Sequence, residues 1–411
     1  MRSDPSVTCY PSNSGLAERL RQRLPGRTLE SAFYGSPEAY AFDIEHIFTR
    51  QWLFAGHACE LQKPGDFLTL QVGPYPVVVV GGNDGEIRAF HNSCRHRGSR
   101  LCSEAHGERV KLVCPYHAWT YDLDGRLLFA RDMGADFDRA AHGLHPVACA
   151  HFAGYVFICL SQTPPDIGPL REMAEAYLGR HNLSEAKVAH ESVILEKGDW
   201  KLVWENNREC YHCIPNHPEL CRTFPPEPGV SGVEGAEDDP VITAHWRSCE
   251  AVGLKSRFQI SPDGQFRFAR MPLKAVAESY TMSGRRALQR PLSDDVPDDL
   301  DIGSLLFFHY PGSWNHVLSD HALSFRVLPV APGLTQVTTK WLVHKDAVEG
   351  VDYDLNELTQ VWIATNDQDR RIVEENQIGV ASPAYRPGPY SAIHESGVIQ
   401  FLDWYEGAAQ A

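Results

Sequence analysis

At 411 residues, with 43% hydrophobic and 22% charged residues, the chain holds enough material for two or three globular domains and is neither disordered nor fibrous. A formal charge of −15 argues against nucleic acid or an anionic membrane as the main partner, since both need a basic face. No apolar run has signal-peptide or bilayer-spanning length, which predicts a cytoplasmic protein whose eleven cysteines are thiols or metal ligands rather than disulfides.

Residues 1 to about 45 read as an arm and a helix, with Ser36 as its cap and Pro37 at the first helical position. From Asp66 the period changes to short apolar runs: Phe67 to Val72, Val77 to Val80 and Ile87 to Phe90, divided by Gly73-Pro74 and by Asn83-Asp84-Gly85. Two more strands are expected around Asp124-Gly125, and the β pattern persists to about Leu160. After Pro164-Pro165 the sequence predicts a helix near Pro169 to Arg180 and a strand from Lys187 to Glu196.

The segment from Asp199 to Cys213 has helical period, with Asp199 as its cap. Trp200, Val203, Trp204, Asn207 and Tyr211 fall on one side, and Glu205, Glu209 and His212 on the other. Pro215 and Pro218 should end that helix and leave His217 in the next loop, free to fold back towards His212. Residues 225 to 302, rich in Gly, Pro and acid, read as long loops around a pocket. Strands return at Ser304–Tyr310, Ala322–Val330 and Gln336–Val343. A last long helix is expected from about Leu355 to Asn376, where 100° steps turn Asp369 inward with Leu355, Leu358, Trp362 and Val373 and turn Asp367 outward.

Two constellations carry chemistry. Cys94-Arg-His96 and Cys114-Pro-Tyr-His117 each offer one thiol and one imidazole from a hairpin loop. A structural zinc uses the same donors, but usually with the cysteines paired and the histidines paired. One of each per loop suits a 2Fe-2S centre with both cysteines on one iron and both histidines on the other. Downstream, Glu209, His212 and His217 are spaced so that two imidazoles meet one metal beside a carboxylate, the donor types of a non-haem iron site.

These loops, Cys94-Arg-His-Arg-Gly98 and Cys114-Pro-Tyr-His-Ala-Trp119, together with Glu209-x-x-His212-x4-His217, resemble the Rieske-type non-haem iron oxygenases over nearly the whole chain. The resemblance implies an α+β protein: a Rieske β-sandwich domain at about 46–162, and a catalytic domain at 163–411 packed by the 1–45 arm. In the latter an antiparallel sheet is wrapped by helices in the helix-grip manner. It implies Cys94, His96, Cys114 and His117 as 2Fe-2S ligands, and His212 and His217 as ligands of a mononuclear Fe(II). The third ligand would be Asp369, which Glu-x-x-Gln-x-Gly follows downstream as Glu374 to Gly379. It further implies that Glu209 is an electron-transfer bridge, hydrogen-bonded to an iron histidine and to a cluster histidine, His117, of a neighbouring subunit in a head-to-tail homotrimer.

No Gly-x-Gly-x-x-Gly follows a strand and opens a helix, so electrons are expected from a separate NAD(P)H-dependent reductase. The wording of both motifs is most similar to oxygenases that N-demethylate quaternary ammonium compounds such as glycine betaine and stachydrine. A ring-hydroxylating or O-demethylating oxygenase of aromatic acids is the alternative within the family. A zinc-stabilised binding module or electron carrier is the alternative outside it. The aromatics from Trp246 to Trp314 read mostly as core, some as a wall where ring faces bind a quaternary ammonium group. Cys102, Cys210 and Cys213, with Cys9, Cys59, Cys149, Cys159 and Cys249, are expected as packing residues or thiols of no special role. His57, His309 and His321 read as ordinary satisfied histidines.

Overall fold

The structure is a computed structural model that describes residues 14–225, 236–274, 276–297 and 300–410. Cys9 and residues 226–235, 275 and 298–299 lie outside these. In chain order, the short helix α1 (Ser14–Arg21) is followed by α2 (Pro37–Asp43), whose start is set by the Ser36 hydroxyl accepting from the Ala39 N–H at 2.9 Å. Ten strands then follow. They are β1 (Leu53–His57), β2 (Asp66–Val72), β3 (Tyr75–Gly81), β4 (Ile87–His91), β5 (His106–Glu108), β6 (Leu112–Val113), β7 (Thr120–Tyr121), β8 (Leu127–Phe129), β9 (Pro146–Phe152) and β10 (Tyr155–Cys159). Seven form one antiparallel sheet in the order β1-β10-β9-β4-β3-β2-β5, and β6-β7-β8 form a small second one.

The run of four valines in β3 has a positional reason. Val77 and Val79 face a core shared with Leu53 and Leu68, while Val78 and Val80 face another that holds Cys94, Cys114, Trp119 and Tyr121. With a period of two, one strand thus separates the cluster loops from the main core.

Helix α3 (Gly168–Leu178) leads to β11 (Lys187–Glu196), α4 (Trp200–Asn207), α5 (Cys213–Asn216) and α6 (Pro240–Ala251). The remaining strands are β12 (Gln259–Ile260), β13 (Phe266–Met271), β14 (Ser304–His309), β15 (Ser313–Val317), β16 (Ala322–Ala331) and β17 (Leu334–Val343), and the chain ends in α7 (Leu355–Val380) and α8 (Ser396–Gln410). The second seven-stranded sheet, β11-β17-β16-β15-β14-β13-β12, is antiparallel throughout. Helices α4 and α7 pack on each other and on this sheet, which is the architecture expected from the resemblance.

Three expectations need correction. The region from 225 to 302 is not all loop, because it contains α6 and β13; Asp239 caps α6 by accepting from the Val241 and Ile242 N–H groups. Helix α7 is not the last, since α8 follows and buries Phe401, Leu402, Trp404 and Tyr405. The helix that opens at Asp199 stops at Asn207 rather than near Cys213. Beyond Asn207 the Glu209 carboxylate accepts from the Tyr211 and His212 N–H groups, at 3.2 Å for the latter, and so replaces helical carbonyls with a local turn.

Because of that early end, Glu205 and Glu209 do not share a site. Glu205 is buried and accepts from the Tyr34 hydroxyl at 2.7 Å and the Tyr390 hydroxyl at 2.9 Å, tying α4 to the N-terminal arm and to the segment before α8. Burial pushes its carboxyl up to about 7, against the two tyrosines, which favour the charged form. A second buried tie runs from Lys201 to Asp43 of α2 and, at 2.9 Å, to Asp199. No helix among the described residues is long and apolar enough to cross a membrane.

Candidate metal centres and substrate cavity

The two cluster loops share one backbone frame. Cys94 N–H donates to Ser99 O at 2.8 Å and Gly98 N–H to Cys94 O at 2.9 Å; in the second loop Cys114 N–H donates to Trp119 O at 2.8 Å and Ala118 N–H to Cys114 O at 3.0 Å. The fourth residue after each cysteine is left-handed, with φ of 75° at Gly98 and 56° at Ala118. Buried Asn92 pins the first loop, accepting from the Leu101 and Cys102 N–H groups at 3.0 Å each.

Within this frame the thiols point inward and the imidazoles outward. Cys94 and Cys114 are buried, whereas His96 is exposed and His117 half-buried. The two imidazole rings stand 4.7 Å apart, and His96 stacks on Trp119 at 4.8 Å. His117 Nδ1 is buried without a hydrogen-bond partner among the described residues. Burial raises the Cys94 thiol, opposed by its contact with the Tyr121 hydroxyl at 3.3 Å. Two buried sulfurs opposite two outer imidazoles, one with an orphaned ring nitrogen, fit the donor set that would hold a 2Fe-2S cluster.

The second centre is built where α4, α5 and α7 meet. His212 Nε2 and His217 Nε2 are 3.0 Å apart, and Asp369 Oδ1 lies 2.9 Å from His217 Nε2 and 3.4 Å from His212 Nε2. Asp369 Oδ1 is buried and makes no hydrogen bond among the described residues despite these approaches. Two donor atoms held about 2.1 Å from one ion at right angles stand about 3.0 Å apart, so this triangle fits the facial set of two imidazoles and one carboxylate.

The outer nitrogens are fixed. His212 Nδ1 donates to Glu209 Oε1 at 2.5 Å, His217 Nδ1 donates to Gln368 Oε1 at 2.8 Å, and Gln368 Nε2 donates to Glu219 Oε2 at 2.8 Å. Each ring therefore turns Nε2 into the triangle with its tautomer set from behind. Burial opposes a proton on His212, but Asp369 and Glu209 outweigh it and lift its proton affinity to about 9. The same pull would favour a divalent ion there.

Asp369 points inward, as the wheel requires, while the Asp367 side chain is 70% exposed and pairs with Arg370. Glu209 contacts His212 of its own chain and has no contact with that chain's His117. Cys210 and Cys213 are not separate packing residues: they form a disulfide, their Cα atoms 4.9 Å apart on the turn that replaces the expected helix. Although Cys213 lies within 4.8 Å of both histidines, its sulfur is engaged in that bond. Cys102 is a buried bystander, and His57, His309 and His321 are buried away from the triangle.

The triangle opens on a cavity of about 700 Å³ including its mouth, walled by Phe308, Trp314, Trp362, Asn315, His316 and Arg208. Phe308 and Trp314 stand out in the sequence as aromatics. Trp362 lies on the inward stripe expected of the last long helix; Gln368 and Arg208 carry no such signal, and Gln368 is marked only by its place beside Asp369.

Residues 183–411 match the family of ring hydroxylating alpha subunits, catalytic domain, and residues 51–139 match the Rieske [2Fe-2S] domain. The chain is 49% identical over 402 residues to the glycine betaine monooxygenase oxygenase subunit of Chromohalobacter salexigens, covering 95% of this chain and 87% of that one. It is 46% identical to the subunit of the same name from Pseudomonas aeruginosa, over 96% of this chain and 92% of the relative. Among crystal structures, the quaternary ammonium Rieske monooxygenase CntA with L-carnitine superposes with a TM-score of 0.71 at 22% identity, over 96% of this chain and 99% of that one. Naphthalene 1,2-dioxygenase from Rhodococcus sp. gives 0.70 at 17% identity, over 96% and 98%.

Proposed function

The chain belongs to the ring-hydroxylating alpha-subunit family and binds a Rieske 2Fe-2S cluster and a mononuclear iron, and from that premise we propose that it N-demethylates a betaine. The substrate is a quaternary ammonium carboxylate, with glycine betaine the first choice. The observation that carries this reading is the cavity itself: Phe308, Trp314 and Trp362 line the space next to His212, His217 and Asp369. Aromatic faces attract a cation that has no hydrogen to donate, and such a wall presents an N-methyl group to the triangle. The near-full-length likeness to two glycine betaine monooxygenase subunits supports the same choice.

Cys94, Cys114, His96 and His117 would hold the cluster; His212, His217 and Asp369 would hold the iron. When bound, the iron activates dioxygen with electrons that the cluster relays singly. The protein's own residues do the rest. Glu209 keeps a proton on His212 Nδ1 and so keeps Nε2 free as a donor. The aromatic wall orients the cation. Two electrons from the reductase, two protons and dioxygen convert one N–CH3 to N–CH2OH with release of water. The hydroxymethyl ammonium then loses its hydroxyl proton, its C–N electron pair stays on nitrogen, and formaldehyde leaves a tertiary amine.

Partners are a separate NAD(P)H-dependent reductase and further copies of this chain. The Glu209 turn carries exposed Tyr211 (61%) and Ile214 (71%), and the cluster tip carries exposed His96 and Tyr116. Two such patches suit a head-to-tail ring of three in which His117 of one chain approaches Glu209 of the next. The proposed division is a 1–45 arm, a 46–162 Rieske domain and a 163–411 catalytic domain, and family matches at 51–139 and 183–411 support it.

The test is a turnover screen with a surrogate reductase across betaines and aromatic acids, reading formaldehyde and oxygen uptake. Formaldehyde from a betaine in step with oxygen is the expected result. A cis-diol or phenol from an aromatic acid, with no formaldehyde from any betaine, would overturn the reading.

A further inference from the structure

We propose that Arg208 anchors the carboxylate of the substrate and thereby selects betaines over quaternary ammonium alcohols; this rests on the betaine reading above. Arg208 ends α4, its N–H donating to Trp204 O at 2.9 Å, directly before the Glu209 turn. Its side chain lines the same cavity as His212, His217 and Asp369 and is only 3% exposed.

A guanidinium keeps its charge under all working conditions, so burying one requires an anion or a full set of acceptors. Arg208 has neither. Its Nε and Nη2 make no hydrogen bond, and no Asp or Glu forms an ion pair with it among the described residues. The Tyr310 hydroxyl, which donates to Gln400 Oε1 at 2.9 Å, can accept one N–H of the guanidinium but carries no charge, so Nε and Nη2 stay without an acceptor.

The guanidinium lies over the Phe308 ring, 4.2 Å from its centroid. A guanidinium held over a ring by its carbon keeps N–H groups for an acceptor in its plane, the arrangement in which arginine binds a carboxylate with two parallel hydrogen bonds. Arg267 lines the same cavity over the same ring at 5.1 Å, and burial together with Arg208 lowers its own proton affinity to about 9.

A betaine matches this polarity at both ends. Its carboxylate meets the N–H edge of Arg208, while its ammonium meets the faces of Trp314 and Trp362 and the negative field of Asp369. The bound zwitterion then has one orientation, with an N-methyl group towards the histidines. Choline offers the same cation with a hydroxyl in place of the carboxylate and leaves Arg208 unpaired.

The experiment compares wild type, Arg208→Gln and Arg208→Lys as holoenzymes with a surrogate reductase, using glycine betaine and choline as substrates. Iron content and the cluster spectrum are read alongside. Losing a paired, charge-assisted contact should raise KM for glycine betaine roughly 10- to 100-fold in Arg208→Gln and lower the betaine-to-choline ratio of kcat/KM by a similar factor, with Arg208→Lys in between. An unchanged KM and an unchanged ratio in a variant that retains both metals would overturn the proposal. Should Arg208→Gln lose its metals, Arg208→Lys decides alone: unchanged values sink the idea.

Binding gives a readout that needs no turnover. Tryptophan fluorescence is titrated with 3,3-dimethylbutanoate, which keeps the shape and carboxylate of glycine betaine without its positive charge, and with 3,3-dimethylbutan-1-ol. Wild type should bind the acid and not the alcohol, Arg208→Gln should lose that difference, and Arg208→Lys should narrow it. If wild type demethylates no betaine, the functional reading fails by itself, while the acid-against-alcohol comparison still decides whether Arg208 is a carboxylate site.

Discussion

Asp369 and Asp367 stand two residues apart on one helix in opposite surroundings. The first has a buried, unbonded oxygen within 3.4 Å of two imidazole nitrogens; the second is largely in water and paired with Arg370. Asp369→Ala should remove nearly all mononuclear iron while the cluster absorption stays, and Asp367→Ala should leave both near wild-type levels. Metal analysis beside the visible spectrum checks this, and the reverse pattern would mean that the wrong aspartate has been assigned. Glu209 is a different case, since its carboxylate touches His212 through Nδ1, the nitrogen turned away from the triangle. Glu209→Gln should keep both metals yet slow single-turnover oxidation of the reduced cluster by roughly 10- to 100-fold, the usual size of effects from a group behind a metal ligand. A wild-type single-turnover rate would remove Glu209 from the electron path.

Among elements, α4 bears the most constraint, and its pH response follows from Glu205. This carboxyl titrates near 7 in the fold because it is buried against Tyr34 and Tyr390, with Lys201 and Asp199 the nearest other charges. Below its ordinary range both folded and unfolded chains hold the proton and the stabilisation is complete. As pH rises, the unfolded chain releases its proton first, so stability falls through the window up to about 7 and then levels off. The span is roughly 3 kcal/mol at most for one carboxyl with this shift. Glu205→Gln keeps an acceptor for one tyrosine and should flatten the thermal unfolding profile between pH 5 and 7; an unchanged slope would place the effect elsewhere.

The same helix shows where the sequence could be read and where it could not. Its start was legible, because Asp199 is a local cap that needs nothing from the rest of the chain. Its end was not. Glu209 takes over the N–H groups of Tyr211 and His212, a side-chain competition that periodicity does not register, and the Cys210–Cys213 bond depends on the resulting turn. The inward face of Asp369 was legible from 100° steps alone. The partner of His217, Gln368, was not, since it depends on how α7 docks beside α5, a matter of long-range packing.

At the scale of the whole molecule, the geometry makes a prediction about which cluster feeds which iron. Within one chain Glu209 reaches His212 but not His117, and the surfaces around Glu209 and around the cluster tip both expose large side chains. If the circuit runs between chains, two separately dead variants should rescue each other. Cys94→Ser and Cys114→Ser together disable the cluster, and His212→Ala disables the iron. Each assembly alone should be inactive. In a head-to-tail ring mixed at random in equal amounts, an intact cluster faces an intact iron at about a quarter of the junctions, so co-assembled protein should recover about a quarter of wild-type turnover. Transfer confined to single chains predicts no recovery at any mixing ratio. Recovery that rises and falls with the product of the two mole fractions would identify the junction between chains as the conducting one.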